Sequence, residues 1–204
     1  MADTTSRIPS ADRLQELLDR QEIFDCIKRI SRAIDRFDED LFVSGFHEDA
    51  LIDAGAFVEQ PRTVYRGGME LHEAGQSSTL HHLTNHTCRI DGSEAHAETY
   101  FLYFGRNRDG TNWAAGGRYA DRLECRDGDW RIAFRCTLLE WSGMIEPTDV
   151  PLFANVEDLG VNGVSARSRE DASYRRPLVN RRTIQSPETP GALGDPRGKR
   201  PPGA

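Results

Sequence analysis

Apolar residues fall into two different rhythms along this chain. Isoleucines recur at 23, 27, 30 and 34, a spacing that places them on one stripe of an α-helix. Upstream, Ser10 can cap a helix carrying Leu14, Leu17 and Leu18, while Asp19 and Glu22 have the spacing of a second capping box. Short helices are expected at 40–46 and 69–75, with a strand at 50–57 between them. Beyond residue 82 the rhythm becomes alternation. Asp91-Gly92, Asp109-Gly110 and Asp127-Gly128 recur every 18 residues, and each pair suits a hairpin turn that needs positive φ. Four antiparallel strands follow, at 82–90, 94–106, 112–125 and 129–141. In the last one, Trp130, Ile132, Phe134, Cys136 and Leu138 share a face; Arg131, Ala133, Arg135, Thr137 and Leu139 share the other. Gly116-Gly117 inside the preceding strand lets the sheet bend sharply. Helices first and a bent meander after them predict an α+β domain whose sheet wraps a helical layer.

A length of 204 residues suits one domain with an appendage, here residues 1–146. Periodicity fades from Pro147. Residues 147–184 are expected to form an extended arm over the body or over a partner subunit. Residues 185–204, rich in Pro, Gly and charge, are expected to be a disordered basic tail. The net charge of −7 divides into +5 on residues 166–204 and −12 on the rest. An acidic body argues against nucleic acid as a partner, and the tail either docks on that body or stays solvated. No run reaches the ~18 apolar residues of a membrane span, and Met1 to Arg13 lacks the apolar stretch of a leader, so a cytoplasmic chain is expected. Cys26, Cys88, Cys125 and Cys136 include no CxxC pair and read as buried thiols in a reducing compartment.

Three sets of residues could carry chemistry. Asp35 ends the isoleucine helix, about 110° from the centre of the stripe, at the edge of the buried face beside Phe24, Lys28 and Ser31. Its place near a helix C-terminus opposes the dipole, so it gains no local stability there. Five of the six histidines, His72, His81, His82, His86 and His96, crowd between 72 and 96. Histidine suits proton transfer at neutral pH, and of two adjacent ones on a strand at most one faces a cavity. His82 and His86 share parity and could ligate a metal, but no Cys or carboxylate partner stands out. Arg135 is either outward and solvated or inward and matched to an anion or an acid. Tyr119, Asp121, Tyr100, Glu98 and Asn85 are further polar candidates for a cavity wall. No phosphate loop, nucleophile elbow or zinc-protease signature occurs, so no cofactor or metal is expected.

The order of several short motifs adds to this reading. Ala33 to Asp38, Phe46-His47-Glu48-Asp49-Ala50, Tyr65-Arg66-Gly67, Thr79 to Asn85, Gly117 to Asp121 and Asp127 to Ile132 follow one another over residues 12–145. That order resembles the SnoaL-like branch of the nuclear transport factor 2-like superfamily. The resemblance implies a cone-shaped α+β barrel with its active site at the open end. It implies that Asp35 pairs with His81 as orienting carboxylate and base, and that Arg135 stabilises developing negative charge. Tyr100, Tyr119, Asn85 and Phe24 would line the substrate site. The implied reaction is a cofactor-independent elimination, dehydration or retro-aldol cleavage of a small, mostly apolar cyclic or aromatic substrate. An isomerase, a polyketide cyclase, or a non-catalytic assembly protein like the small subunit of a ring-hydroxylating dioxygenase would use the same scaffold. A homodimer or homotrimer is implied as well. One position departs from the family's dehydratases and dehydrochlorinases: where they carry a Lys or Tyr that assists the leaving group, this chain has Ile30. Tyr100 and Tyr119, and less readily His82, are the candidate replacements.

Overall fold

In a computed structural model, the chain is described at residues 10–146, 158, 160–163 and 165–183. Helix α1 (Ala11–Arg36) is one continuous element rather than two. Ser10 caps it by accepting from the Arg13 amide, and Asp19, read above as a second start, instead accepts from Gln15 and from the Trp130 indole. Ile23, Ile27 and Ile30 are fully buried, as is Cys26; Leu14, Leu17 and Leu18 stay exposed. The helix stops at Phe37, whose left-handed backbone (φ 54°) carries the cap.

Helix α2 (Glu39–Val43) is shorter than expected. A Cβ on Gly45 would lie 2.5 Å from the Ile30 side chain, so the chain leaves the helix where it must cross α1 closely. Strand β1 (Phe46–Asp53) starts four residues earlier than expected and pairs with the two-residue β2 (Val58–Glu59). Helix α3 (Pro61–Gly75) takes up the whole stretch before the histidine run, with Pro61 in its first turn. The four long strands are β3 (Gln76–Asp91), β4 (Glu94–Asn107), β5 (Asn112–Arg126) and β6 (Asp129–Ile145). Asp127 and Gly128 both have positive φ, 54° and 81°, as a two-residue turn of this hand requires.

The six strands form one sheet in the order β2-β1-β6-β5-β4-β3, antiparallel except for β1 against β6. The curved sheet wraps the helices, and the core lies between α1, with Ile23, Ile27 and Ile30, and the sheet residues Phe46, Ile52, Ala95, Leu123 and Ile132. A Cβ on Gly117 would lie 2.1 Å from the Leu138 carbonyl, so β5 and β6 approach there as only glycine permits.

Two of the register shifts in the meander reset which candidate residues face inward. In β3, Leu83 pairs with Phe101 but His86 with Thr99, so Thr84 and Asn85 hold one residue too many. In β6, Ile132 pairs with Leu123 and Phe134 with Arg122, which leaves Ala133 extra. The simple alternation expected for β6 is therefore corrected. Trp130 and Ile132 face the core, but so does Arg135, while Phe134 and Cys136 move to the other face.

The described part of the arm lies on the chain's own body. Tyr174 donates to Asp38 at 2.7 Å and stacks under Arg32, and Asp171 meets Arg36 at 3.4 Å. The expected tail at 185–204 falls outside the described residues. Among the described residues no helix is long and apolar enough to cross a membrane. All four cysteines are free, but only Cys26 is buried.

Candidate active site

Asp35 sits in the last turn of α1 and is 7% exposed. Its carboxylate is held at two points by one residue. The His81 backbone N–H donates to Oδ2 at 2.8 Å, and His81 Nδ1 lies 2.7 Å from Oδ1. A carboxylate can only accept, so Nδ1 carries the proton and Nε2 of the neutral ring keeps its lone pair. Among the described residues Nε2 has no hydrogen-bond partner. These two bonds also supply the compensation that the helix end denies to Asp35.

Around the pair, the inward positions of β4 and β5 bring aromatic rings together. Tyr103 is the register partner of His81, and its ring meets the imidazole edge-on at 4.9 Å. Trp113 lies 5.1 Å from Tyr103, and Phe101 stacks on Tyr119 at 4.6 Å. The Tyr103 hydroxyl donates to Gln76 Oε1 at 2.6 Å, and His72 Nδ1 approaches the same oxygen at 2.6 Å. Burial pushes the Tyr103 and Tyr119 phenols up to about 12, so both stay protonated at neutral pH. Burial lowers His72 and His86, which holds both rings neutral. On the outer side of the pair, a groove of about 440 Å³ follows the seam between α1 and β3 and is lined by Phe24, Lys28, Ser31, Asp35, His81 and Leu83 among others.

The other expected residues divide. Phe24 lines this groove and stacks on His86 at 4.5 Å. Tyr119 faces inward, under the Arg135 guanidinium at 4.2 Å. Arg135 is inward and buried, and its Nε and Nη2 donate to the two carboxylate oxygens of Asp121 at 2.7 Å each. Its charge is therefore balanced within the protein. Tyr100 is placed on the outer face with Leu102 and Phe104, because the inward positions of β4 are 99, 101 and 103; it does not reach the pair. Asn85 sits exposed in the β3 bulge. The same bulge separates His82 from His86: His82 faces out against Phe104, while His86 faces in and bonds Thr99 at 2.8 Å. Their shared parity therefore does not bring them together. Among the described residues no group of three His, Cys, Asp or Glu is placed to hold a metal.

Sequence reasoning passed over Tyr103, Gln76 and Arg167. Arg167, from the arm, lies over the Phe37 ring at 3.9 Å and donates to the Gln76 carbonyl. The arm that delivers it is anchored by Asp171. Burial works against the Asp171 charge, but bonds from Ser173 and the Ala166 amide, with Arg36 nearby, hold its carboxyl down to about 2. A depressed carboxyl stabilises the docked arm fully above its unfolded value of about 4, and the contribution is lost as pH falls through about 2. In an acid titration followed by NMR, the amides of Ala166 and Ser173 should move with a midpoint near the lower value. A midpoint at the ordinary carboxylate value would show that the anchor is idle.

Comparison with known proteins follows this geometry. The SnoaL-like domain profile matches residues 15–136, more than half of the chain. No curated protein matches it. Among solved structures, a protein provisionally called a scytalone dehydratase from Novosphingobium aromaticivorans is 20% identical, with TM-score 0.58, over 65% of this chain and 91% of its own. A hexachlorocyclohexane dehydrochlorinase, LinA-type3 from Novosphingobium barchaimii, is 16% identical, with TM-score 0.60, over 67% and 99%. A protein provisionally called an aromatic ring hydroxylase, also from N. aromaticivorans, is 23% identical, with TM-score 0.56, over 64% and 94%. At these identities the structures speak for the fold, a cone with helices held in a curved six-stranded sheet. With the profile spanning most of that cone, the chain belongs to the SnoaL-like domain family.

Proposed function

We propose that the protein is a cofactor-independent lyase in which the Asp35–His81 pair takes a proton from a carbon acid. The observation that carries this reading is the two-point clamp of Asp35 on His81, which fixes the ring and leaves Nε2 as base. As Nε2 accepts the proton, Asp35 offsets the charge that develops on the imidazolium. The C–H electron pair becomes the new double bond, and the leaving group departs with its own pair. Ile30 is fully buried and cannot assist that departure. Tyr103, protonated and in edge contact with the His81 ring, is the donor we assign to it, its single O–H turning from Gln76 Oε1 toward the leaving group. Loss of water, loss of halide and retro-aldol cleavage all share a general base acting on an acidic hydrogen. The groove at the pair carries Phe24, Leu80 and Leu83, with the buried cluster of Phe101, Tyr103 and Tyr119 packed against Leu83, and this lining suits a small, mostly apolar cyclic or aromatic substrate. Two of the similar structures carry the names of a dehydratase and a dehydrochlorinase, which supports the same class.

The test is a panel of small cyclic β-hydroxy ketones, with loss of water followed by the absorbance of the conjugated product. His81→Ala should lower kcat/KM by about 10²–10⁴, and Tyr103→Phe by about 10². Full turnover in His81→Ala would overturn the proposal.

One observation favours an assembling protein as a second reading. The outer sheet face exposes Leu102, Phe104, Leu138 and Trp141, and Leu102, Gly116 and Trp141 are register partners in one row. Such a patch marks an interface. We expect a homodimer or homotrimer at micromolar concentration by light scattering, and a monomer for Trp141→Glu. A wild-type monomer would contradict this, and a large foreign subunit in a native pull-down would favour the assembly role over catalysis.

A further inference from the structure

The cations around the candidate site differ in what balances them. Arg135 has Asp121. Arg36 has Asp171, Lys28 has Asp25, and Arg32 lies on the Tyr174 ring with Ser173 beside it. Arg167 is different. Its Nη1 donates to the Gln76 carbonyl and its plane covers Phe37, but Nε and Nη2 are buried with no hydrogen-bond partner among the described residues. No carboxylate of the described residues bonds it. A guanidinium with buried, unmatched donors is costly unless an anion completes it. Asp35 does not serve, because both of its oxygens are taken by His81.

The position of Arg167 ties it to the site. Phe37, which it covers, is two residues beyond Asp35. Gln76, whose carbonyl it bonds, holds the Tyr103 hydroxyl, and Tyr103 touches His81. We infer that Arg167 is a specificity-determining residue: its free Nε and Nη2 edge binds a carboxylate of the substrate beside the Asp35–His81 pair. The substrate class narrows accordingly, to a small cyclic or aromatic acid. The planar edge offers two parallel donors, which fits a carboxylate better than a single-point anion does. Burial already lowers the Arg167 pKa, as expected of a cation awaiting its counter-charge. The role assigned by resemblance to Arg135, meeting negative charge on the substrate, passes in this respect to an arginine of the arm.

This inference rests on the proposal that the pair faces a substrate, but its test does not need turnover. Benzoate and benzamide have nearly the same shape and differ in charge. By calorimetric titration the wild-type protein should bind benzoate at least about tenfold more tightly than benzamide, since bonds to a charged group are the stronger kind. Arg167→Gln should erase the preference, and Arg167→Lys should keep part of it. Tyr174→Phe, which loosens the arm without changing Arg167, should keep the preference and so separates charge recognition from arm docking. Equal affinity for the two probes, a preference that survives Arg167→Gln, or no binding of either would overturn the inference. His81→Ala distinguishes the two proposals. A benzoate preference in a protein with no His81-dependent turnover leaves the anion site standing and removes the lyase. Turnover that depends on His81 without the preference does the reverse.

Discussion

Asp35→Asn is expected to cost about 10⁴ in turnover while leaving the fold intact. The reason lies in the two-point contact. The His81 backbone N–H needs an acceptor, so the asparagine must turn its carbonyl oxygen to that bond. Its NH₂ group then faces His81 Nδ1, where the carboxylate oxygen stood 2.7 Å away. An N–H cannot sit opposite another N–H, so Nδ1 loses its proton and Nε2 gains it. The base is thereby blocked by a substitution of almost no volume. Nitrogen-15 spectra of the ring read this directly, without any substrate. Wild-type His81 should show the Nδ1–H form, and the variant the Nε2–H form. An unchanged tautomer in Asp35→Asn would remove the orienting role of the carboxylate, whatever the turnover.

The second large effect concerns stability. Asp121→Ala is expected to destabilise the protein by about 3–5 kcal/mol in urea unfolding, because Arg135 would be left charged, buried and unpaired. Arg135→Met alone should be costly too, since it strands Asp121. The double variant, with both charges gone, should recover most of the loss, because a buried ion pair stabilises little beyond what an apolar replacement of similar volume provides. Additive losses in the double variant would instead show that the two side chains act independently. The Arg135 guanidinium also lies over Tyr119, so Tyr119 fluorescence should change with the Arg135 substitution.

Much of this molecule can be read from its residues. The isoleucine stripe marks α1, and the three Asp-Gly pairs mark the meander to within a few residues, because both signals are local. The pairing of Asp35 with His81 came from the order of motifs, since 46 residues separate the two and no local pattern links them. What stayed hidden depends on register. Counting back from the first hairpin, where Asp91 pairs with Glu94, opposes His81 to Phe104; the bulge at Thr84 and Asn85 moves it to Tyr103 instead. One extra residue thus turns Tyr103 into a neighbour of the site and sends His82 and His86 to opposite faces. The bulge at Ala133 does the same for Arg135. Bulges carry no strong signature when neither member is glycine, and strand parity fails beyond each one. Arg167 was hidden for another reason: the arm has no periodicity, and its docking depends on an ion pair and a hydrogen bond with a residue more than 130 positions away.

The parallel pairing of β1 with β6 bears on how the chain is made. Phe46 lies beside Ile132, and α1 finds its apolar cover partly on the same late strand. On the ribosome, the stripe of Ile23, Ile27 and Ile30 therefore emerges long before Trp130 and Ile132 exist to shield it. The closing contacts are among the most distant in sequence, so their loop entropy is met late and folding is expected to be slow for a domain of this size. A nascent chain arrested before β6 would expose an oily helix and an unpaired β5 edge, the conditions under which holding chaperones engage and aggregation competes with completion.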